Sequence, residues 1–192
     1  MGGDKEKSVI EKFLEDNVLF LGPDPEIMES HKMAPISERE EKAMASFSNA
    51  DQINLVRHKL QTACNESFDM VEQMGAAPGA KWGDLISGVW TMHGDLAMAS
   101  MGGVLIFSVL TQHPVKFILK YWKDDPTVGI RPGDIFMHND ARYGNIHNTD
   151  QSLVIPVFHN GELICFTGAI VHEGENGAIE PGGMPSAAES PY

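Results

Sequence analysis

SLVIPVF at 152–158 and ELICFTGAIV at 162–171 read as two β-strands joined by His159-Asn160-Gly161. The loop length sets the register. If Gly161 is the third residue of a three-residue loop (a type I turn, then a left-handed glycine), Phe158 faces Glu162. Asp150 then falls opposite Ile170 and shares a face with His172, one diagonal step of about 7–8 Å away. If Asn160-Gly161 is a two-residue turn, Asp150 falls opposite Val171. Asp150 and His172 then point to opposite faces of a regular ladder. In both cases they lie at the same end of the hairpin.

Upstream of the hairpin, 139–150 is polar and turn-rich (NDARYGNIHNTD), and DIFMH at 134–138 reads as a strand after Arg131-Pro132-Gly133. Val115, Ile118, Leu119 and Trp122 recur at helical spacing behind Pro114, which suits a first helical residue. DLISGVW, LAMASMG and VLIFSVL are short apolar runs separated by His93-Gly94-Asp95 and Gly102-Gly103, and they read as strands. Ile53, Val56, Leu60, Cys64, Val71 and Met74 form one stripe, predicting a helix over 51–74. Asn49 or Asp51 would cap it and Gly75 and Pro78 would stop it. Ser37 with Glu40 is a capping box that starts a helix running to about Phe47. Ile10, Phe13 and Leu14 suit a short helix over 4–17. The expected fold class is α+β: a helical N-terminal arm (1–50), then an α+β metal-binding domain (51–192). That domain is a mixed β-sheet with packed helices and a metal-site hairpin near its end.

The 192 residues suffice for one domain with an arm. Fourteen Lys+Arg against 27 Asp+Glu give a net charge of -13. That argues against a basic phosphate-neutralising face and against docking on anionic lipid, so neither nucleic acid nor membrane is an expected partner. No apolar run approaches a membrane span, and the polar N-terminus lacks a signal-peptide core. Cys64 and Cys165 form no CxxC, which fits a reducing cytoplasm. The acidic surface and the breaker-rich stretch 18–36 are compatible with docking to a protein partner.

His147 precedes Asp150 by three residues in a Gly-Asn-rich turn that can fold both side chains toward one point, and His172 lies at the same hairpin end. Two imidazoles and one carboxylate form the donor set of open catalytic metal sites, and Mn, Fe or Zn all tolerate it. The competing reading is a plain hydrogen-bonded loop, since Asp and Asn favour turns and eight histidines make chance triplets easy. Glu173 and Glu175 follow His172 and are the candidates for a base or for orienting a ligand histidine; a solvated acidic loop is the alternative. His138, Asn139 and Asp140 follow a strand end, where site residues are common. His93 reads as a surface turn residue, and Cys165 as a small hydrophobe. The chain has no GxxxxGK[ST], GxGxxG or GxSxG motif, so it shows neither a nucleotide cradle nor a serine nucleophile.

GDIFMHND, GNIHNTD, IPVFHNGELICFTGAIVH and PGGMP occur in that order between Gly133 and Pro185. This succession resembles the hydantoinase B/oxoprolinase family. Within it, the GN-hydrophobic-His element and the GA-x-x-PG[GS]M ending look most like the alpha subunits of acetone and acetophenone carboxylases. The resemblance implies one subunit of an ATP-dependent carboxylase, with Mn2+ on a His-x-x-Asp and a later histidine, here His147, Asp150 and His172. It also implies ATP/Mg2+ bound on another subunit, beta and gamma carboxylase subunits as partners, and a small ketone with bicarbonate as substrates. The amidohydrolase branch, opening a hydantoin or 5-oxoproline ring, is the second expectation, and an inactive scaffold fragment the third. Family alpha subunits are several times longer, so the chain is expected to be the N-terminal portion of a longer subunit. Gly183 stands where serine is common, and Ala141 where proline usually follows ND.

Overall fold

The computed structural model describes residues 24–28 and 33–174. The expected helix over 4–17, Glu175 and the PGGMP loop lie outside the described residues.

Asp24 caps α1 (Pro25–Met28) by accepting the backbone N–H groups of Glu26 and Ile27. Ser37 caps α2 (Glu38–Ser46), and the capping box closes as expected: Ser37 Oγ accepts the Glu40 N–H while Glu40 Oε2 accepts the Ser37 N–H at 2.7 Å. Asn49 caps α3 (Ala50–Met74), and Gly75 ends it. Pro78 opens α4 (Pro78–Lys81). There follow β1 (Leu85–Thr91), β2 (Leu96–Ala99), α5 (Leu105–Leu110), α6 (Gln112–Phe117), β3 (Phe136–His138), β4 (Asp150–His159) and β5 (Glu162–His172).

The strand order is β2-β1-β5-β4-β3. The α+β class holds, but every strand pairing is antiparallel where a mixed sheet was expected. β1 and β5 pair directly, so no parallel crossover is needed between them. The edge strands β2 and β3 are joined by the helical stretch over 105–122. It crosses one sheet face and builds the core: Phe107, Val115 and Ile118 pack against Ile86, Trp90, Val154, Phe166 and Ile170. Trp90 is fully buried, and its indole N–H donates to Ser108 O at 2.9 Å.

Two expectations about this stretch are corrected. VLIFSVL is not a strand but holds helix α5. A short apolar run fits either element, and here local bonds decide: Thr111 N–H reaches Phe107 O, and the Ser108 and Thr111 hydroxyls donate to Leu105 O and Phe107 O. Pro114 is the third residue of α6 rather than its first, because the chain is already helical through Thr111. The helix then widens to a π turn over Ile118–Trp122, with Lys123 N–H on Ile118 O.

The long helix is as expected, but its apolar stripe is not covered. Cys64 alone is buried in α3, while Ile53, Val56 and Met74 are largely exposed. The second half of α3 is the anchored half. Gln61 Nε2 donates to Ala99 O at 2.8 Å, and Asn65 Oδ1 accepts the Met101 N–H at 2.9 Å.

The hairpin has the two-residue turn of the second expected register, together with a bulge that neither register contained. Its turn is the two-residue Asn160-Gly161, with φ of 51° and 80°, and His159 faces Glu162. Positive φ at both central residues matches the strand twist, which is why Asn-Gly suits this turn. Phe158 then faces Leu163, but Val157 faces Cys165, so Ile164 is an extra residue in the ladder. This bulge shifts everything beyond it by one residue. Asp150 lies directly opposite His172, not opposite Ile170 or Val171.

Candidate metal centre

Asp150, Ser152 and Val154 alternate onto the core face of β4, and Phe166, Ile170 and His172 share that face on β5. The core therefore runs out at one end of the sheet in a carboxylate facing an imidazole. His147 reaches the same point from the preceding turn, which closes with Asp150 N–H on His147 O at 3.1 Å.

The Asp150 side chain is fully buried. Its Oδ2 accepts the backbone N–H groups of Ile146 and His147 at 3.0 and 3.2 Å. These bonds fix the carboxylate and leave Oδ1 pointing at the histidines. Oδ1 lies 3.0 Å from His172 Nδ1 and 3.2 Å from His147 Nδ1. The two rings meet edge to face with centroids 4.7 Å apart, and their side chains keep 25% and 20% exposure. A ligand from solvent can therefore reach the imidazoles while the carboxylate stays dry.

The donor atoms of all three lie within 4.8 Å of one another. Donors sharing an ion at about 2.1 Å stand roughly 3.0–3.5 Å apart, a range in which the two Asp150–histidine separations already lie. Among the described residues no other group of three His, Cys, Asp or Glu side chains gathers in this way.

The loop is held from behind by residues that sequence reasoning passed over as turn formers. Asn145 is buried; its Nδ2 donates to Asp150 O at 2.6 Å, and its Oδ1 accepts Ser152 Oγ–H at 2.8 Å. Thr149 is fully buried, with Oγ1 2.6 Å from His147 Nδ1 and 3.4 Å from His172 Nδ1. Their only sequence signal was position: Thr149 lies inside the His-x-x-Asp turn and Asn145 two residues before it. Glycine supports the site as well. A Cβ on Gly79 would stand 2.0 Å from His172 O, so α4 lies against the backbone that carries His172.

The other expected residues are not among the three clustered donors. Glu173 N–H bonds Thr149 O at 2.9 Å, and Glu173 lines a groove with Val71, Pro78 and Val171. His138 faces Ser152 across the ladder, and its Nε2 is buried with no hydrogen-bond partner. Burial pushes this imidazole down to about 4, with only partial compensation from Asp140. His93 lies in the β1–β2 turn, 3.7 Å from Glu40. Cys64 and Cys165 are free, and burial raises both thiols. Among the described residues no helix is long and apolar enough to cross a membrane.

This chain belongs to the hydantoinase B/oxoprolinase family, whose sequence profile matches residues 50–192. It is 36% identical to the acetophenone carboxylase delta subunit of Aromatoleum aromaticum over 84% of its own length and 23% of that subunit's. It is 27% identical to the acetone carboxylase alpha subunit of Xanthobacter autotrophicus over 68% of its length and 17% of that protein's. A solved nucleotide-free acetone carboxylase superposes with a TM-score of 0.62 at 27% identity, covering 67% of this chain and 17% of that one. The chain thus spans less than a quarter of the length of the curated relatives it matches.

Proposed function

We propose that this chain is the metal-bearing part of an ATP-dependent ketone carboxylase subunit, joining a small or aryl ketone to carbon dioxide drawn from bicarbonate. One observation carries the reading: His147, Asp150 and His172 converge in a chain similar, over most of its length, to ketone carboxylase subunits. The ion is Mn2+, with Fe2+ or Zn2+ acceptable to the same donors. When bound, a divalent ion supplies positive charge for an enolate oxygen and a template for the two reactants. The chain's own residues do the rest. Asp150 offers a fixed, desolvated negative charge. His147 and His172 present their rings at the solvent boundary, where substrate arrives. Carboxylation removes a proton from the carbon beside the ketone carbonyl, and Glu173 or Glu175 is assigned that role as base.

ATP with Mg2+ binds on another subunit in this reading, supported by the lack of a phosphate-binding loop in the sequence. Beta and gamma carboxylase subunits are the partners, consistent with relatives that are themselves named as subunits. The reducing cytoplasm is the expected compartment, in keeping with two free thiols. A second reading, ATP-dependent opening of a hydantoin or 5-oxoproline ring, is favoured by the family's other named activities.

Elemental analysis of the purified chain beside His147→Ala and His172→Ala is the first test. Near-stoichiometric manganese in the wild type, lost in both variants, supports the metal site. A folded wild type that takes up no divalent metal refutes it. With partner subunits added, ATP use that depends on ketone plus bicarbonate separates the carboxylase from use that depends on a cyclic amide.

A further inference from the structure

Thr149 stands out because of what its hydroxyl faces. The residue is fully buried, and Oγ1 is directed into the space between the two imidazoles, 2.6 Å from His147 Nδ1 and 3.4 Å from His172 Nδ1. The same two nitrogens face Asp150 Oδ1 at 3.2 and 3.0 Å. Each imidazole nitrogen therefore looks at two oxygens, one anionic and one neutral. Three of these four separations already lie in the range that donors around one ion require, about 3.0–3.5 Å. The fourth, Thr149 to His147, must open by roughly half an ångström when an ion lies between them, which a small χ1 rotation supplies. Thr149 is also held from outside the turn, since its carbonyl accepts the Glu173 N–H at 2.9 Å. That bond ties it to the strand end that carries His172.

We propose that the Thr149 hydroxyl is a fourth donor at this centre, completing a set of two imidazoles, one carboxylate and one neutral oxygen. The inference rests on the metal reading above. It has a consequence for selectivity. An added hard oxygen donor favours oxygen-loving ions such as Mn2+, whereas Zn2+ is well held by two imidazoles and a carboxylate. Thr149 then tilts the site toward Mn2+ rather than merely tightening it.

The test is Mn2+ and Zn2+ affinity of the full chain by calorimetry, for wild type, Thr149→Ser and Thr149→Val, with circular dichroism and Tm to verify folding. Valine keeps the shape and removes the oxygen; serine keeps the oxygen. The expected result is a loss of about tenfold or more in Mn2+ affinity for Thr149→Val, a Zn2+ loss several times smaller, and near wild-type values for Thr149→Ser. Co2+ loaded in place of Mn2+ should show a changed visible absorption spectrum in the valine variant. Equal losses for both ions with an unchanged Co2+ spectrum would mean that Thr149 only positions the histidines, and would overturn the proposal. Wild-type affinity in Thr149→Val would overturn it too. Both results leave the metal reading standing, whereas a wild type that binds neither ion ends both. If Thr149→Val does not fold, the Mn2+/Zn2+ ratio and Co2+ spectrum of folded Thr149→Ala decide the same question.

Discussion

The two oxygens of Asp150 have separate duties. Oδ2 satisfies two backbone N–H groups of the turn, and Oδ1 faces the histidines. Asp150→Asn should keep the first duty and lose the second: Tm changes little, while metal affinity falls by a hundredfold or more. Asp150→Ala leaves two part-buried N–H groups without an acceptor and should also lower stability by about 1 kcal/mol, measured by urea unfolding. His138 gives a pH signature. Its imidazole is held at about 4 when folded, against an ordinary 6.5. As pH falls the unfolded chain takes up this proton first, so stability intact above about 6.5 drains away toward 4. The expected loss from this group between pH 7.5 and 5 is about 1–2 kcal/mol. His138→Gln should show a correspondingly shallower fall of Tm with acid. The convergence of His147, Asp150 and His172 was legible at this scale because their residue types are few and their spacing is tight. Thr149 and Asn145 were not, since hydroxyls and amides are ordinary in turns and only their aim marks them out.

The hairpin as an element explains why the site is well aligned. Ile164, the extra residue, puts Phe166 and Ile170 on the face of Val154; without it, Thr167 and Ala169 would stand there. The bulge thus serves the core first, and the Asp150–His172 pairing follows from it. Part of this was readable: Phe166 and Ile170 are larger than their alternates Thr167 and Ala169, and the larger set belongs inside. What could not be read was where the chain absorbs the extra residue, because that depends on β1 pairing along β5 from far upstream. Gly161 has open space around it, so Gly161→Ala should cost only the left-handed backbone penalty, about 1–2 kcal/mol by thermal unfolding. Gly79→Ala is the opposite case. Its methyl meets the carbonyl of His172, so stability should fall by about 1–3 kcal/mol and metal affinity should fall with it. Equal metal affinity in folded Gly79→Ala would show that α4 does not brace the site.

For the whole molecule, periodicity identified α3 correctly but not its surroundings, because spacing tells which face is apolar and not what lies over it. Ile53 and Val56 are about half exposed, so Ile53→Gln with Val56→Gln should move stability by less than about 1 kcal/mol. Trp90→Ala, at the centre of the core, should cost about 3–5 kcal/mol. The order of assembly is also written into the topology. All the proposed donors lie between His147 and His172, within one turn and one hairpin, whereas the sheet is completed only when Leu85 meets Val171 across most of the domain. Local pairings form early and distant ones late. On the proposed metal reading, an ion on these donors would tie the turn to the open end of the hairpin, adding to the register that β1 fixes along β5. Refolding from urea should be faster with Mn2+ present than without it, and His172→Ala should refold at one rate in both.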